Sequence, residues 1–256
     1  MKFPVVFTGH GSPMLAIENN NMTEEMAEIG RHILEKYGKP KGILSISAHW
    51  YRNKTYIQSA EAPEQIYDMY GFPEELYQLK YPVKGNKELT DRVSDILESS
   101  VSVNDEWGID HGTWAVLVHM FPEHDIPVVQ LSVNGYITPE ENYDIGRKLS
   151  ALREEGYLIF ASGNIVHNLM RIKWDSDDGT KQTHMFNDYI VDAVVNGDTE
   201  KVINYKKGSY PIYAAPTPEH FLPLIYALGA ANGDPVKVFN NVCTQGSIAM
   251  TGFIWE

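Results

Sequence analysis

Apolar residues in this chain fall into two patterns. Short, nearly continuous runs occur at Pro4–Thr8, in KGILSISAHW (41–50), at Thr55–Gln58, at Val101–Val103, in IPVVQLSV (126–133) and in YLIFASGN (157–164). Between most of them lie longer stretches in which apolar residues recur every three or four positions. The runs suit strands buried on both faces of a sheet, and the stretches suit helices that cover it.

The start and stop signals sharpen the helices. One is expected from Thr23, its N-cap, to Tyr37, with Gly38 as the stop. Others are expected near Glu74, over Lys87–Ser99 and over Trp114–Met120, where Phe121-Pro122 closes the turn. The clearest begins at Thr138, with Pro139 at its first position and Glu141 completing a capping box. Its apolar face is Ile145, Leu149 and Leu152, and Gly156 ends it. Two more are expected near Thr183–Asn196 and from a Thr217-Pro218 cap to Gly229. The tail, VKVFNNV followed by SIAMTGFIW, reads as a closing antiparallel pair of strands.

Strands that alternate with helices predict an α/β fold with a central, mostly parallel sheet flanked by helices. With 256 residues and no repeat, low-complexity segment or linker, residues 1–256 read as one domain. Residues 51–85 are the exception to the regular pattern. They hold Tyr51, Tyr56, Tyr67, Tyr70, Tyr77 and Phe72 among prolines, and read as a long aromatic loop. Such a loop can serve as a lid over a planar ring, or pack as an aromatic patch against the sheet or another copy.

Composition narrows the function classes. The formal net charge of −13 argues against a nucleic-acid backbone or an anionic membrane as partner. One cysteine, Cys243, leaves no intrachain disulfide and no Cys-rich zinc site, which fits a reducing cytoplasm. The apolar run in MKFPVVFTG is too short for a signal peptide, and no window approaches membrane-spanning length.

The candidate chemistry is in the histidines. Four sit where a strand ends or a helix opens: His10 in FTGHGSP, His49 in SISAHW, His167 in ASGNIVHNL and His220 in TPEHFLP. Parallel strands gather their carboxyl ends along one sheet edge, so these imidazoles can converge from remote positions. Imidazole is the commonest ligand for a divalent transition metal. Each also has a plainer reading: a solvated turn residue for His10, a hydrogen-bonded core residue for His49, a cap for His167. His220 is expected in the first turn of its helix, where the dipole favours neutral imidazole, with Glu219 beside it as a second conceivable ligand. His111, in DHGTW, either contacts a substrate oxygen or is ordinary loop polarity. His32, His119, His124 and His184 read as structural.

Taken together and in this order, GHGSPM, SISAHW, DHGTW, SGNIVHNL and TPEHFLPL resemble the class III extradiol ring-cleavage dioxygenases, in particular the DOPA 4,5-dioxygenase branch. The resemblance spans essentially the whole chain. It implies a mononuclear non-haem Fe(II) site, which Zn(II) can occupy in isolated proteins. By motif, it implies His10, His49 and His220 as metal ligands and His167 as the acid–base residue, close enough to ligate a resting metal. His111 matches a second pocket histidine. Distant members of the superfamily use a glutamate where His220 stands, which leaves Glu219 in play. The implied reaction takes a small-molecule catechol and O2 to a ring-opened semialdehyde. The competing readings are a zinc-dependent hydrolase and a non-catalytic metal- or ligand-binding protein of the same fold. An oligomer is compatible with all three.

Overall fold

A computed structural model describes all 256 residues. In chain order the elements are β1 (Val5–Gly9), α1 (Asn21–Tyr37), β2 (Gly42–Arg52), β3 (Thr55–Ile57), α2 (Glu74–Gln78), α3 (Lys87–Leu97) and β4 (Val101–Val103). There follow α4 (His111–Met120), β5 (Val128–Asn134), α5 (Pro139–Leu149), β6 (Tyr157–Gly163), α6 (Lys181–Val195), α7 (Thr199–Ile203), α8 (Pro211–Ala214) and α9 (Leu222–Ala231). The chain closes with β7 (Val236–Phe239), β8 (Cys243–Thr244), β9 (Ile248–Ala249) and β10 (Gly252–Trp255). No helix is long and apolar enough to cross a membrane.

Eight strands form one sheet in the order β4-β3-β5-β2-β6-β1-β10-β7. The central four, β5, β2, β6 and β1, run parallel. The expected closing pair is there: β10 lies antiparallel to both β1 and β7. This is the single-domain, mostly parallel α/β architecture that the hydrophobic pattern predicts.

Strand parity divides the molecule. Val5, Phe7, Leu44, Ile46, Val129, Leu131, Ile159 and Ala161 point to one side, into a core shared with α3, α5, α6 and α9. Val6, Ile43, Val128, Leu158 and Phe160 point to the other, into a core shared with α1 and α4. On this second side the register pairs Ser45 with Gln130, and Ser47 with both Ser132 and Ser162, while Ser162 pairs with Thr8. These five polar residues beyond the apolar layer, and Thr8, are fully buried.

Several boundaries differ from the sequence reading, each for a local reason. Asn20, not Thr23, caps α1: its side chain accepts from Met22 and Thr23, and the Thr23 hydroxyl answers to the Asn20 N–H. Helix α4 begins three residues earlier than expected, because Asp110 caps it through Thr113. Helix α9 begins at Leu222 instead of after Thr217, whose hydroxyl turns to Glu219. His220 therefore precedes the helix and is not within its first turn. Gly229 does not end α9, which runs on to Ala231 before Asn232 turns left-handed at φ 51°. Gly229 instead lets α9 approach α5, since a Cβ there would lie 2.2 Å from the Tyr143 carbonyl oxygen.

Candidate active site

The polar side of the sheet ends in histidines. His10 leaves β1 one residue past Gly9 and continues the line of Val6 and Thr8. Its turn needs Gly9 and Gly11: a Cβ on Gly9 would lie 2.6 Å from Met250 Cα, and Gly11 has φ +58°. His49 lies inside β2 and not past its end, at the register shift between Ser47 and Tyr51. His220 is carried by the turn before α9, whose backbone packs on Gly163 of β6; a Cβ there would lie 2.2 Å from the His220 carbonyl oxygen. His111 is the first residue of α4. His167 follows β6, its N–H donating to the Ala214 carbonyl at 2.8 Å.

His10, His49 and His220 converge, with ligand atoms all within 4.8 Å of one another. In each ring Nδ1 faces an oxygen. His10 Nδ1 lies 2.8 Å from Ser162 Oγ, and the Ser162 hydroxyl donates to the Gly112 carbonyl, so Ser162 accepts from His10. His49 Nδ1 lies 2.7 Å from Asp68 Oδ2, and His220 Nδ1 lies 3.3 Å from Glu219 Oε1. A neutral ring that donates from Nδ1 keeps a lone pair on Nε2. With all three rings neutral, three lone pairs face the space between them. His10 Nε2 and His49 Nε2 are 3.1 Å apart, and His220 Nε2 is buried without a hydrogen-bond partner. Two unprotonated nitrogens that close repel unless a proton or a cation is shared between them. Neutral imidazoles with anchored Nδ1–H groups are the donor set of a metal site.

The electrostatics keep most of these rings neutral. Burial pushes His10 and His220 well below the ordinary imidazole value, and the neighbouring histidines push further. Burial and the charge of His49 lower His111, and the same two causes bring His167 down to about 4. His49 is the exception. Burial lowers it, but the Asp68 hydrogen bond and the charges of Asp110, Asp68 and Glu219 outweigh burial and raise it. Burial raises Asp68, yet hydrogen bonds from His111 and His49 hold it well below the usual carboxylate range.

His167 and His111 flank this trio differently. The His167 ring stacks on His220, with centroids 3.5 Å apart and planes 7° from parallel. Its ligand atom groups with those of Glu219 and His220, a set that shares only His220 with the His10, His49 and His220 group. His111 contacts Asp68 at 2.8 Å, and its ring centroid is 4.0 Å from that of His49. All five histidines line one cavity of about 400 Å³ with Asp68. Its apolar wall includes Met69, Phe72, Ile172 and Ile248, so the aromatic loop does reach the site.

The remaining four histidines are engaged elsewhere: His32 with Glu256, His119 with the Leu15 carbonyl, His184 with Asp178, and His124 edge-on to the Tyr81 ring. Asp110, Asp68 and Ser162 are supporting groups that the motifs alone do not identify. Only Asp110 carries a signal, as a cap-forming residue before a helix; the other two act through partners remote in sequence, His10 for Ser162 and His49 and His111 for Asp68.

The chain is similar to known proteins over nearly its whole length. Residues 4–252 match the family described as the catalytic LigB subunit of aromatic ring-opening dioxygenase. The 4,5-DOPA dioxygenase extradiol of Escherichia coli (strain K12) is 38% identical over 256 residues, covering 97% of this chain and 93% of that protein. The 4,5-DOPA dioxygenase extradiol of Beta vulgaris is 39% identical over 231 residues, covering 88% and 85%. The crystal structure of an uncharacterized protein, JW3007, from Escherichia coli K12 superposes with a TM-score of 0.86 at 34% identity, over 100% of both chains.

Proposed function

Because this chain belongs to the family of the catalytic LigB subunit of aromatic ring-opening dioxygenases, we propose that it opens a DOPA-like catechol beside its pair of hydroxyls, with Fe(II) as the metal. Both atoms of O2 enter the product, a ring-opened semialdehyde. The class of enzyme follows from the family; the catechol, the iron and the product are our reading. The whole chain, 1–256, forms that catalytic domain, since the residues assigned to the metal run from position 10 to position 220.

The observation that carries this reading is the convergence of three anchored imidazoles on one point. His10, His49 and His220 would hold the ion. Bound there, Fe(II) would supply the electron transfer that lets O2 react with a singlet catechol, and would lower the pKa of the coordinated hydroxyl.

The protein's own groups do the rest. His167 is neutral at pH 7 and lines the cavity, so it can take a proton from a catechol hydroxyl and return it as the ring opens. We assign it to proton transfer in preference to the metal, because its ligand atom groups with Glu219 and His220 and not with His10 and His49. His111 donates its Nδ1–H to Asp68, which leaves Nε2 of the neutral ring to accept from a substrate hydroxyl. Met69, Phe72, Ile172 and Ile248 supply apolar surface for the ring and keep water from it. The net charge of −13 and the single buried Cys243 are the grounds for placing the protein in the cytoplasm, away from nucleic acid and membrane.

The test loads the protein anaerobically with Fe(II), adds substituted catechols, admits air and follows O2 uptake and the yellow ring-opened product. Uptake of one O2 per catechol is expected with Fe(II). Zn(II), which has no redox chemistry, should give none. No turnover of any catechol by the Fe(II) form, or turnover that continues without O2, would overturn the reading.

A further inference from the structure

The loop between β3 and α2 places a carboxylate between two of the site histidines. Asp68 is 11% exposed at its side chain, and both of its oxygens are engaged. Oδ2 lies 2.7 Å from His49 Nδ1. Oδ1 lies 2.8 Å from His111 Nδ1 and accepts the His111 backbone N–H at 3.1 Å. An ionised carboxylate can only accept, so each ring donates its Nδ1–H to it, and in the neutral ring Nε2 is left with its lone pair.

We propose that Asp68 is a positioning residue that sets His49 and His111 as one unit, fixing the tautomer of both rings through a single carboxylate. The proposal rests on the reading that His49 ligates a metal. Its consequence is that the ligand geometry and the pocket histidine are not independent: what displaces one displaces the other.

The placement of Asp68 in its loop adds a second link. The residues before it are pinned beside α4 by contacts that do not involve it. Ile66 N–H donates to the Ile109 carbonyl at 2.8 Å, Ile109 N–H to Glu64 at 2.7 Å, and Trp114 Nε1 to the Ile66 carbonyl at 2.9 Å. The residues after it, Met69, Tyr70 and Phe72, line the cavity, with Gly71 turned at φ +79°. Asp68 stands at the joint between the pinned half and the cavity-lining half. A ring seated on Met69 and Phe72 therefore bears on the residue that orients His49. Asp68 also groups with His49 and His111, their ligand atoms within 4.8 Å of one another, but its oxygens lie on the Nδ1 side of His49, away from the Nε2 that faces His10, so the proposal sets it beside the ion and not on it.

The test uses the full chain and compares wild type with Asp68→Asn and Asp68→Ala. Zn(II) affinity is measured by chelator competition, and the visible spectrum is recorded after Co(II) loading. Second-sphere partners of metal histidines are worth about 10–100-fold in affinity. Asp68→Ala is expected to lose affinity on that scale and to change the Co(II) spectrum, while still binding one ion per chain. Asp68→Asn should recover part of the loss, because its amide oxygen still accepts one Nδ1–H. It also keeps the shape of the side chain, and so the test survives if Asp68→Ala does not fold. Unchanged affinity and spectrum in the folded variants, even with a lower Tm, would overturn the proposal. So would complete loss of the ion from both, which would make Asp68 a ligand. A wild-type chain that takes up no ion would strike instead at the metal reading of His10, His49 and His220.

Discussion

On the side of the sheet covered by α5 and α9, alternate residues of the central strands are apolar from end to end: Val5 and Phe7, Leu44 and Ile46, Val129, Leu131 and Val133, Ile159 and Ala161. On the side covered by α4, the same strands change character along their length. Val6, Ile43, Val128 and Leu158 give way to Thr8, Ser45, Ser47, Gln130, Ser132 and Ser162, and then to His10 and His49. Buried polar groups are costly unless hydrogen-bonded. Here they are: Ser45 with Thr113, Ser47 with Asp110 at 2.6 Å, Ser162 with the Gly112 carbonyl, and Gln130 with Asp110. Most of these partners belong to the first turn of α4 or to its cap. Because successive strand residues point to opposite sides, one parity builds the larger core and the other aims the histidines. Stability and chemistry are thereby separable by substitution.

The largest expected effects fall on the polar side. His49→Ala should remove metal from the protein and abolish turnover while the circular dichroism spectrum stays native. Metal content by elemental analysis checks this, and a full complement of metal would contradict it. His167→Gln should still bind catechol but slow ring opening by about 100–10,000-fold, the range of general acid–base catalysis. Single-turnover rates measure it, and full activity would remove His167 from the proton-transfer role.

A pair of substitutions then sets the two faces against each other. Leu131→Ala, in the apolar core, should cost about 2–5 kcal/mol in denaturant unfolding and leave metal affinity alone. Gly112→Ala should do the reverse. Its methyl group would lie 2.7 Å from Ser47 Oγ and 3.0 Å from His49 Cδ2, which disturbs the site more than the core. If Leu131→Ala weakened metal binding as much as Gly112→Ala, the separation by parity would fail.

The smallest effect lies at the far end of the α4 side. Burial raises the Glu256 carboxyl, but hydrogen bonds from Lys36, Tyr37 and His32 outweigh it and bring it to about 2, against an ordinary value of 4.5. A carboxyl lowered by folding contributes stability that is whole above its unfolded value. That contribution is lost as pH falls through the folded one. Glu256→Gln should therefore flatten the fall in stability between about pH 4.5 and 2, as urea midpoints would show, without altering metal affinity at neutral pH.

The same contrast explains what the sequence made legible. The apolar side declares itself through continuous runs such as Ile43-Leu44 and Val128-Val129. Helix α5 announces its start through Thr138, Pro139 and Glu141, all within one turn. Local signals misled where a competing partner was close by. Thr217 resembles a cap, but its hydroxyl turns to Glu219, and the helix expected to hold His220 begins only at Leu222. The convergence of His10, His49 and His220 was legible only as strand-end placement and family resemblance. Asp68 was not legible at all. It sits in an irregular loop, and its role depends on His49 before it in the chain and His111 after it, both outside that loop.

The most direct measurement is anomalous diffraction at the metal edge from crystals of the metal-loaded protein. A single peak within bonding distance of Nε2 of His10, His49 and His220 is expected, with Ser162, Asp68 and Glu219 still holding the opposite nitrogens. A peak bonded elsewhere, or one that leaves any of these three rings out, would contradict the site.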